Sequence, residues 1–165
     1  MAKRATESKV ERFVRTQPVA RLATVDARGR PHIVPIVFAY AGGRLYTPLD
    51  LKPKSVPPQR LRRVLNILAN PRVQVLIDHY DEDWSRLGYV QLRGRAELIE
   101  RGYEYRRALR LLERKYPQYA GMPLQGQPVI KITVEHEVGW GSLATPTGRA
   151  PIARRVRVAE VAGNA

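Results

Sequence analysis

The sequence predicts an α+β domain built around one mostly antiparallel sheet of six strands with three interleaved helices. Three observations carry this. Apolar residues alternate at strand spacing, as in Val73, Val75 and Ile77, and again in Val90, Leu92, Gly94, Ala96 and Leu98. Other stretches place them at helical spacing, as in Leu61, Val64, Leu65 and Leu68. Glycine-bearing turns separate the first strands. A sheet this short on polar outer faces is expected to curl and close, which removes its edges.

In chain order, Ser8 and Glu11 have capping-box spacing, and Val10, Phe13 and Val14 form the stripe of a first helix that Pro18 ends. Val19 to Val25 reads as a strand, and Asp26 to Arg30 as a hairpin connection with Gly29 for a positive φ. Ile33 to Ala39 is nearly all apolar and predicts a strand covered on both faces. Gly42-Gly43 makes a second tight turn, and Leu45 to Leu49 returns as a strand, with Pro48 at a sheet edge or strand end. A helix from Leu61 stops at Asn70-Pro71, followed by strands through Val73–Ile77 and Val90–Leu98 with the polar loop of Trp84 between them. Tyr105, Ala108, Leu109, Leu112 and Tyr116 mark a third helix, ended by Pro117. Ile130, Ile132 and Val134 begin a last strand that reaches Trp140. Residues 1–142 form the expected domain, and residues 143–165, rich in Pro, Gly, Arg and Ala, a loose basic tail.

Composition narrows the chemistry. The 165 residues fit one domain with a real core. With no cysteine, thiol nucleophiles, disulfides, iron–sulfur clusters and Cys-ligated zinc drop out. No run is long and apolar enough for a transmembrane helix, and the basic start lacks the apolar stretch of a leader, so a cytoplasmic protein without membrane contact is expected. The net charge of +14 invites anions. The charges are spread along the chain and dominated by arginine, so nucleic acid is not the expected partner; a small anionic ligand is expected instead, for reasons that come from one segment.

One segment concentrates that charge. Only six lysines occur, and Lys52 and Lys54 share a proline-rich loop that leads to Arg60, Arg62 and Arg63 at a helix start. Cations beside free helix N–H groups can cradle a phosphate or carboxylate. From charge alone, a solvated basic loop is the commoner outcome. His32, His79 and His136 show no metal spacing, and the acidic cluster of Asp78, Asp81, Glu82 and Asp83 lacks calcium-loop spacing. No nucleotide fingerprint or nucleophile elbow occurs, so no catalytic side chain and no metal ligand is assigned.

Several stretches resemble the split β-barrel superfamily related to pyridoxamine 5′-phosphate oxidase: Ala23-Thr24-Val25-Asp26 with Gly29-Arg30-Pro31-His32-Ile33-Val34-Pro35-Ile36, then Gly43-Arg44-Leu45-Tyr46-Thr47 with Lys52-Pro53-Lys54, then Asn70-Pro71-Arg72-Val73. Asp78-His79-Tyr80-Asp81-Glu82-Asp83-Trp84 is similar to a subgroup of deazaflavin (coenzyme F420)-dependent oxidoreductases. The resemblance spans residues 6 to 142 and implies a six-stranded antiparallel split β-barrel with flanking helices. It implies a cofactor whose ring edge lies along Val34, Pro35, Ile36 and Val37, and whose phosphate meets Tyr46, Thr47, Lys52 and Lys54, with Arg62 nearby. Trp84 would border the site, and Trp140 would reach it from a second subunit of a homodimer. The implied function is F420-dependent hydride transfer to or from a small organic substrate. An FMN protein of the same fold, or a module that only holds a flavin, tetrapyrrole or nucleic acid, are the alternatives. The glutamate tail of F420 would account for the positive charge, and a cofactor that supplies the chemistry explains the missing acid–base pair.

Overall fold

The computed structural model describes residues 8–49 and 56–144. Helix α1, Lys9–Thr16, starts as its capping pair predicts: the Ser8 hydroxyl accepts the Glu11 N–H at 3.0 Å. Phe13 and Val14 on its inner face are fully buried. Strands β1 (Ala20–Val25) and β2 (Pro31–Ile36) form the first hairpin. Its turn is held by the Asp26 carboxylate, which accepts the Arg28 and Arg30 N–H groups and the Arg30 Nε, while Gly29 takes φ +78°. Strands β3 (Ala39–Ala41) and β4 (Arg44–Pro48) pair through the Gly42-Gly43 turn, both glycines having positive φ.

Helix α2 (Arg62–Ala69), strand β5 (Arg72–His79), strand β6 (Gly88–Ile99), helix α3 (Gly102–Lys115) and strand β7 (Val129–Gly141) complete the domain. All strand pairs are antiparallel, in the order β2-β1-β5-β6-β7-β4-β3. The main core holds Phe13, Leu22, Phe38, Leu45, Val75 and Leu92, with α1 and α2 packed into it through Val14, Val64 and Ile67. A second cluster lies under α3, where Tyr105, Ala108, Leu109 and Leu112 meet Tyr46 and Val129.

Two expectations need correction. The sheet has seven strands, not six, because the apolar run from Ile33 to Ala39 is not one strand. It breaks after Ile36, where Phe38 turns its backbone to a side chain instead of a neighbouring strand. The Phe38 N–H donates to the Tyr116 hydroxyl at 2.9 Å. The Tyr116 hydroxyl faces two acceptors, the carbonyls of Phe38 (2.8 Å) and Pro18 (2.9 Å). Nor is the run covered on both faces, since β2 pairs only with β1 among the described residues and leaves Ile33 64% exposed. Pro48 takes one of its two expected places, the end of a strand, because β4 lies between β3 and β7.

Closure takes a particular form. Strands β2 and β3 are the two ends of the sheet, yet only Val37 and Phe38 separate them. Three peptide units span at most about 11 Å, so the two ends must approach and the sheet must curl. No ladder joins those ends among the described residues; the chain itself and Tyr116 bridge them. This is a barrel with a split.

At the end of α3, the Lys115 amine lies buried with no hydrogen-bond partner, 3.8 Å from the Phe38 ring centroid. Burial, and then the charge of Arg15, push it down to about 7. The ring face returns part of the burial cost, about 0.5–2 kcal/mol. Between pH 7 and the ordinary lysine value the unfolded chain therefore binds the extra proton, and stability rises with pH through that window. Below pH 7 the cost is present in full. In chloride buffer, wild-type stability should rise from neutral pH to about pH 9 relative to Lys115→Met, and the variant should be the more stable at pH 7 by a few kcal/mol, to order of magnitude. Parallel chemical unfolding of both proteins across that range checks this; parallel pH profiles would contradict it.

Candidate cofactor site

The resemblance placed the cofactor along β2 and at the end of β4. Along β2, Pro31, Ile33 and Pro35 face outward, whereas Val34 packs against the main core and Ile36 is buried in it. Val37 lies beyond the strand and packs against the cluster under α3. As an end strand, β2 keeps one row of main-chain donors and acceptors unpaired by any described strand. That suits recognition of a polar ring edge by backbone groups.

On β4, neighbouring residues face opposite ways. Leu45 and Leu49 belong to the main core, and Thr47 is buried between them on that side. Tyr46 faces α3, wholly buried, and its hydroxyl donates to the Glu104 carboxylate. Burial, and then Glu104, push the phenol up to about 12. The same hydrogen bond, aided by Arg44, Lys131 and Arg107, holds the Glu104 carboxyl below its ordinary value. Tyr46 thus ties β4 to α3 and sets the backbone from which Thr47 projects.

Lys52 and Lys54 lie outside the described residues. What flanks them is described: β4 ends at Pro48, and a 3-10 turn, Pro58–Arg60, leads into α2, where Arg62 is exposed. Leu61, at the N-cap, supplies no side-chain acceptor to the first N–H groups of the helix. Helix α2 is clamped to the first hairpin by a buried pair that sequence reasoning missed: Asn66 Nδ2 donates to Thr24 Oγ1 at 3.0 Å. The only sequence signal for it was an amide on the apolar face of a helix. The clamp sets the start of α2 relative to β1 and β2.

The two tryptophans sit at one end of the sheet. Trp84 opens a 3-10 turn between β5 and β6 and is 75% exposed, its turn capped by Asp83, whose carboxylate accepts the Ser85 N–H and hydroxyl. Trp140 is 54% exposed and stacks on Tyr89, its cross-strand partner, with ring centroids 5.4 Å apart. A β-bulge decides that placement. Arg93 pairs with His136 and Gly94 with Val134, which leaves Glu135 as the extra residue. A strict period of two would set Trp140 on the face of Ile130; the bulge turns it outward.

That outward face of β2, β1, β5, β6 and β7 also presents Ile33, Leu76 and Val138, while α1 and α2 pack into the core on the other face. A groove of about 600 Å³ crosses it, lined by Ala23, Val25, Gln74, Arg93 and His136 among others. None of the described residues predicted for the cofactor lines this groove. Among the described residues no group of three or more His, Cys, Asp or Glu could hold a metal, and no helix is long and apolar enough to cross a membrane.

Residues 6–141 match the pyridoxamine 5′-phosphate oxidase family. The chain belongs to that family. A search of curated protein sequences gives no match. Among solved structures, the chain is similar to the conserved hypothetical protein Rv2991 from Mycobacterium tuberculosis, with 19% identity over 83% of this chain and 85% of that one and a TM-score of 0.67. The heme storage protein HutZ from Vibrio cholerae gives 17% identity, coverage of 81% and 92%, and a TM-score of 0.62. An FAD-binding protein from Mesorhizobium loti gives 22% identity, coverage of 78% and 87%, and a TM-score of 0.57. At such identities the likeness is one of fold. The family member therefore has the α+β split-barrel architecture, and chains of similar fold are named for FAD and for heme.

Proposed function

We propose that this family member is a cytoplasmic F420-dependent oxidoreductase that works as a homodimer on a small organic substrate. The observation that carries the reading is the junction between β4 and α2. There Thr47 at the end of one element and Arg62 at the start of the next flank a loop with two of the six lysines. The bound deazaflavin would supply the hydride. The chain's residues would hold it: Lys52, Lys54 and Thr47 its phosphate, the open edge of β2 from Val34 to Val37 its ring. Apolar walls from the curled sheet would keep water from the reacting face. The positive charge of the chain favours the anionic tail of this coenzyme over a smaller anion.

FMN is the second reading, favoured by the family itself and by the similarity to an FAD-binding protein. Titrating the apo-protein with both cofactors distinguishes them. The deazaflavin should bind at least about tenfold more tightly, a difference of about 1.4 kcal/mol. Equal or tighter FMN binding would overturn the F420 reading, and binding of neither would favour a tetrapyrrole carrier.

The dimer is supported by the outer sheet face, whose exposed Ile33, Val138 and Trp140 no helix of the described residues covers. Trp140 of one subunit would then border the cofactor of its partner. A stable interface of this kind needs roughly 1,000 Å² or more. Sedimentation at micromolar concentration should give a dimer, and Ile33→Glu should dissociate it; a wild-type monomer would count against the arrangement.

A further inference from the structure

We propose that a flat organic anion with two carboxylates binds in the groove of about 600 Å³ on the outer face of the sheet, held by Arg72 and Arg93. No residue of the proposed cofactor cradle lines this groove among the described residues, and neither do Ile33, Val138 and Trp140, which are offered to a second subunit. Register brings the cations together, because directly paired residues of neighbouring strands share a face. Ala23, Gln74, Arg93 and His136 form one row across β1, β5, β6 and β7, and Arg72 and Arg95 stand in the next row. Arg72 and Arg93 are therefore diagonal neighbours, about 7–8 Å apart along the backbone surface. Both are exposed and both line the groove, so a ligand lying in it meets both side chains.

These cations lack counter-charges. Among the described residues Arg72, Arg93 and Arg95 make no ion pair, and Arg72 stands directly opposite Arg95. Like charges in that position destabilise a ladder. On either side of the groove the same face does pair its charges: Lys131 meets Glu97, and Arg21 meets Asp78, each at 2.6 Å. Among the described residues Glu135, the extra residue of the bulge, is the one carboxylate in the lining, and it forms an ion pair with neither arginine.

The floor decides what the rest of the ligand is. Ala23, Val25 and Gly94 are small or short and apolar, which leaves the floor low and without polar side-chain groups. A flat apolar body covers such a floor, while each arginine takes one carboxylate through two parallel N–H donors. Gln74 and His136, in the row of Arg93, add further donors. A lone phosphate would engage the arginines but leave the floor in water. The volume lies within the range of small-molecule sites and admits two fused rings.

The probe is naphthalene-2,6-dicarboxylate, titrated by calorimetry into the full-length protein. It should bind with a dissociation constant of about 0.1–1 mM, as suits a ligand of its size at an open site. Its monomethyl ester, which keeps the rings and loses one charge, should bind at least about threefold more weakly. Arg72→Gln/Arg93→Gln should weaken the dicarboxylate about tenfold or more, and Glu135→Gln should tighten it about twofold. Arg72→Gln alone should melt at or above the wild-type temperature, because it removes the like charge opposite Arg95, so binding lost in that variant is not lost folding. Lys52→Ala/Lys54→Ala should bind the probe as wild type does, which tells failure here from failure of the cofactor cradle. No binding by about 10 mM, equal affinity for the ester, or unchanged affinity in the double arginine variant overturns the proposal. So does loss of binding in the lysine variant, which would place the probe in the cradle. Tighter binding of adenosine monophosphate or of a single-stranded oligonucleotide would assign the arginines to phosphate instead and overturn it as well.

Discussion

Replacing Lys52 and Lys54 together with alanine should weaken cofactor binding about ten- to a thousandfold while leaving the thermal transition in place. Each lysine would supply a charge-assisted bond to a phosphate, worth about 1.5–3 kcal/mol where water is largely excluded. At a solvated surface the same bond falls below about 1 kcal/mol. The expected loss is set between these limits. The described flanks support an independent role for the loop. Tyr46 and Glu104 hold β4 from the α3 side, and Asn66 and Thr24 hold α2, so each flank has an anchor of its own among the described residues. Isothermal titration against both cofactors measures the loss, and added salt separates them. A glutamate-tailed ligand presents several exposed charges and should show the steeper salt dependence. Unchanged affinity for both would remove the cradle. A lost melting transition would assign the lysines to the fold instead.

The second large effect is expected at Gly94. A Cβ there would sit 2.1 Å from the Thr133 carbonyl oxygen and 3.1 Å from the Val134 Cα, both backbone atoms of β7. No rotamer change relieves such a clash, so the β6–β7 ladder must part at its bulge. Gly94→Ala should therefore cost about 3–5 kcal/mol, at or beyond the upper end for overpacking. For a domain of this size that lowers the melting temperature by roughly 6–20 °C. Gly29 is the control. It has φ +78° and nothing within 4 Å of an added Cβ, so Gly29→Ala should cost only about 1 kcal/mol of backbone strain. Because the bulge turns Trp140 outward, any folded fraction of Gly94→Ala should also show altered tryptophan fluorescence. An unperturbed melt would mean that β6 and β7 pair in another register.

Most elements were legible in the sequence because their signals are local. The Ser8–Glu11 cap, the glycine turns at residues 29 and 42–43, and the alternation through β6 each depend on neighbours a few residues apart. The proposed cradle rests on the same kind of local signal, since Thr47, Lys52, Lys54 and Arg62 fall within one stretch of chain. What escaped depends on residues far apart. Phe38 reads as mid-strand until Tyr116, 78 positions later, takes its backbone N–H. Asn66 reads as a polar residue on an apolar helix face until Thr24, 42 positions earlier, meets it.

By itself, then, the sequence determined most of the strands and helices, the glycine turns that join the first strands and where two of the six lysines gather. Those properties follow from backbone sterics, periodicity and composition. Only the tertiary structure decided that β2 and β3 are the two ends of one curled sheet, that a single extra residue at Glu135 turns Trp140 to the outer face, and that Lys115 ends buried against Phe38. Each of these is a matter of which distant groups share a hydrogen bond or a packed surface. Such pairings are set by the free energy of the whole chain, and a local pattern carries no record of them.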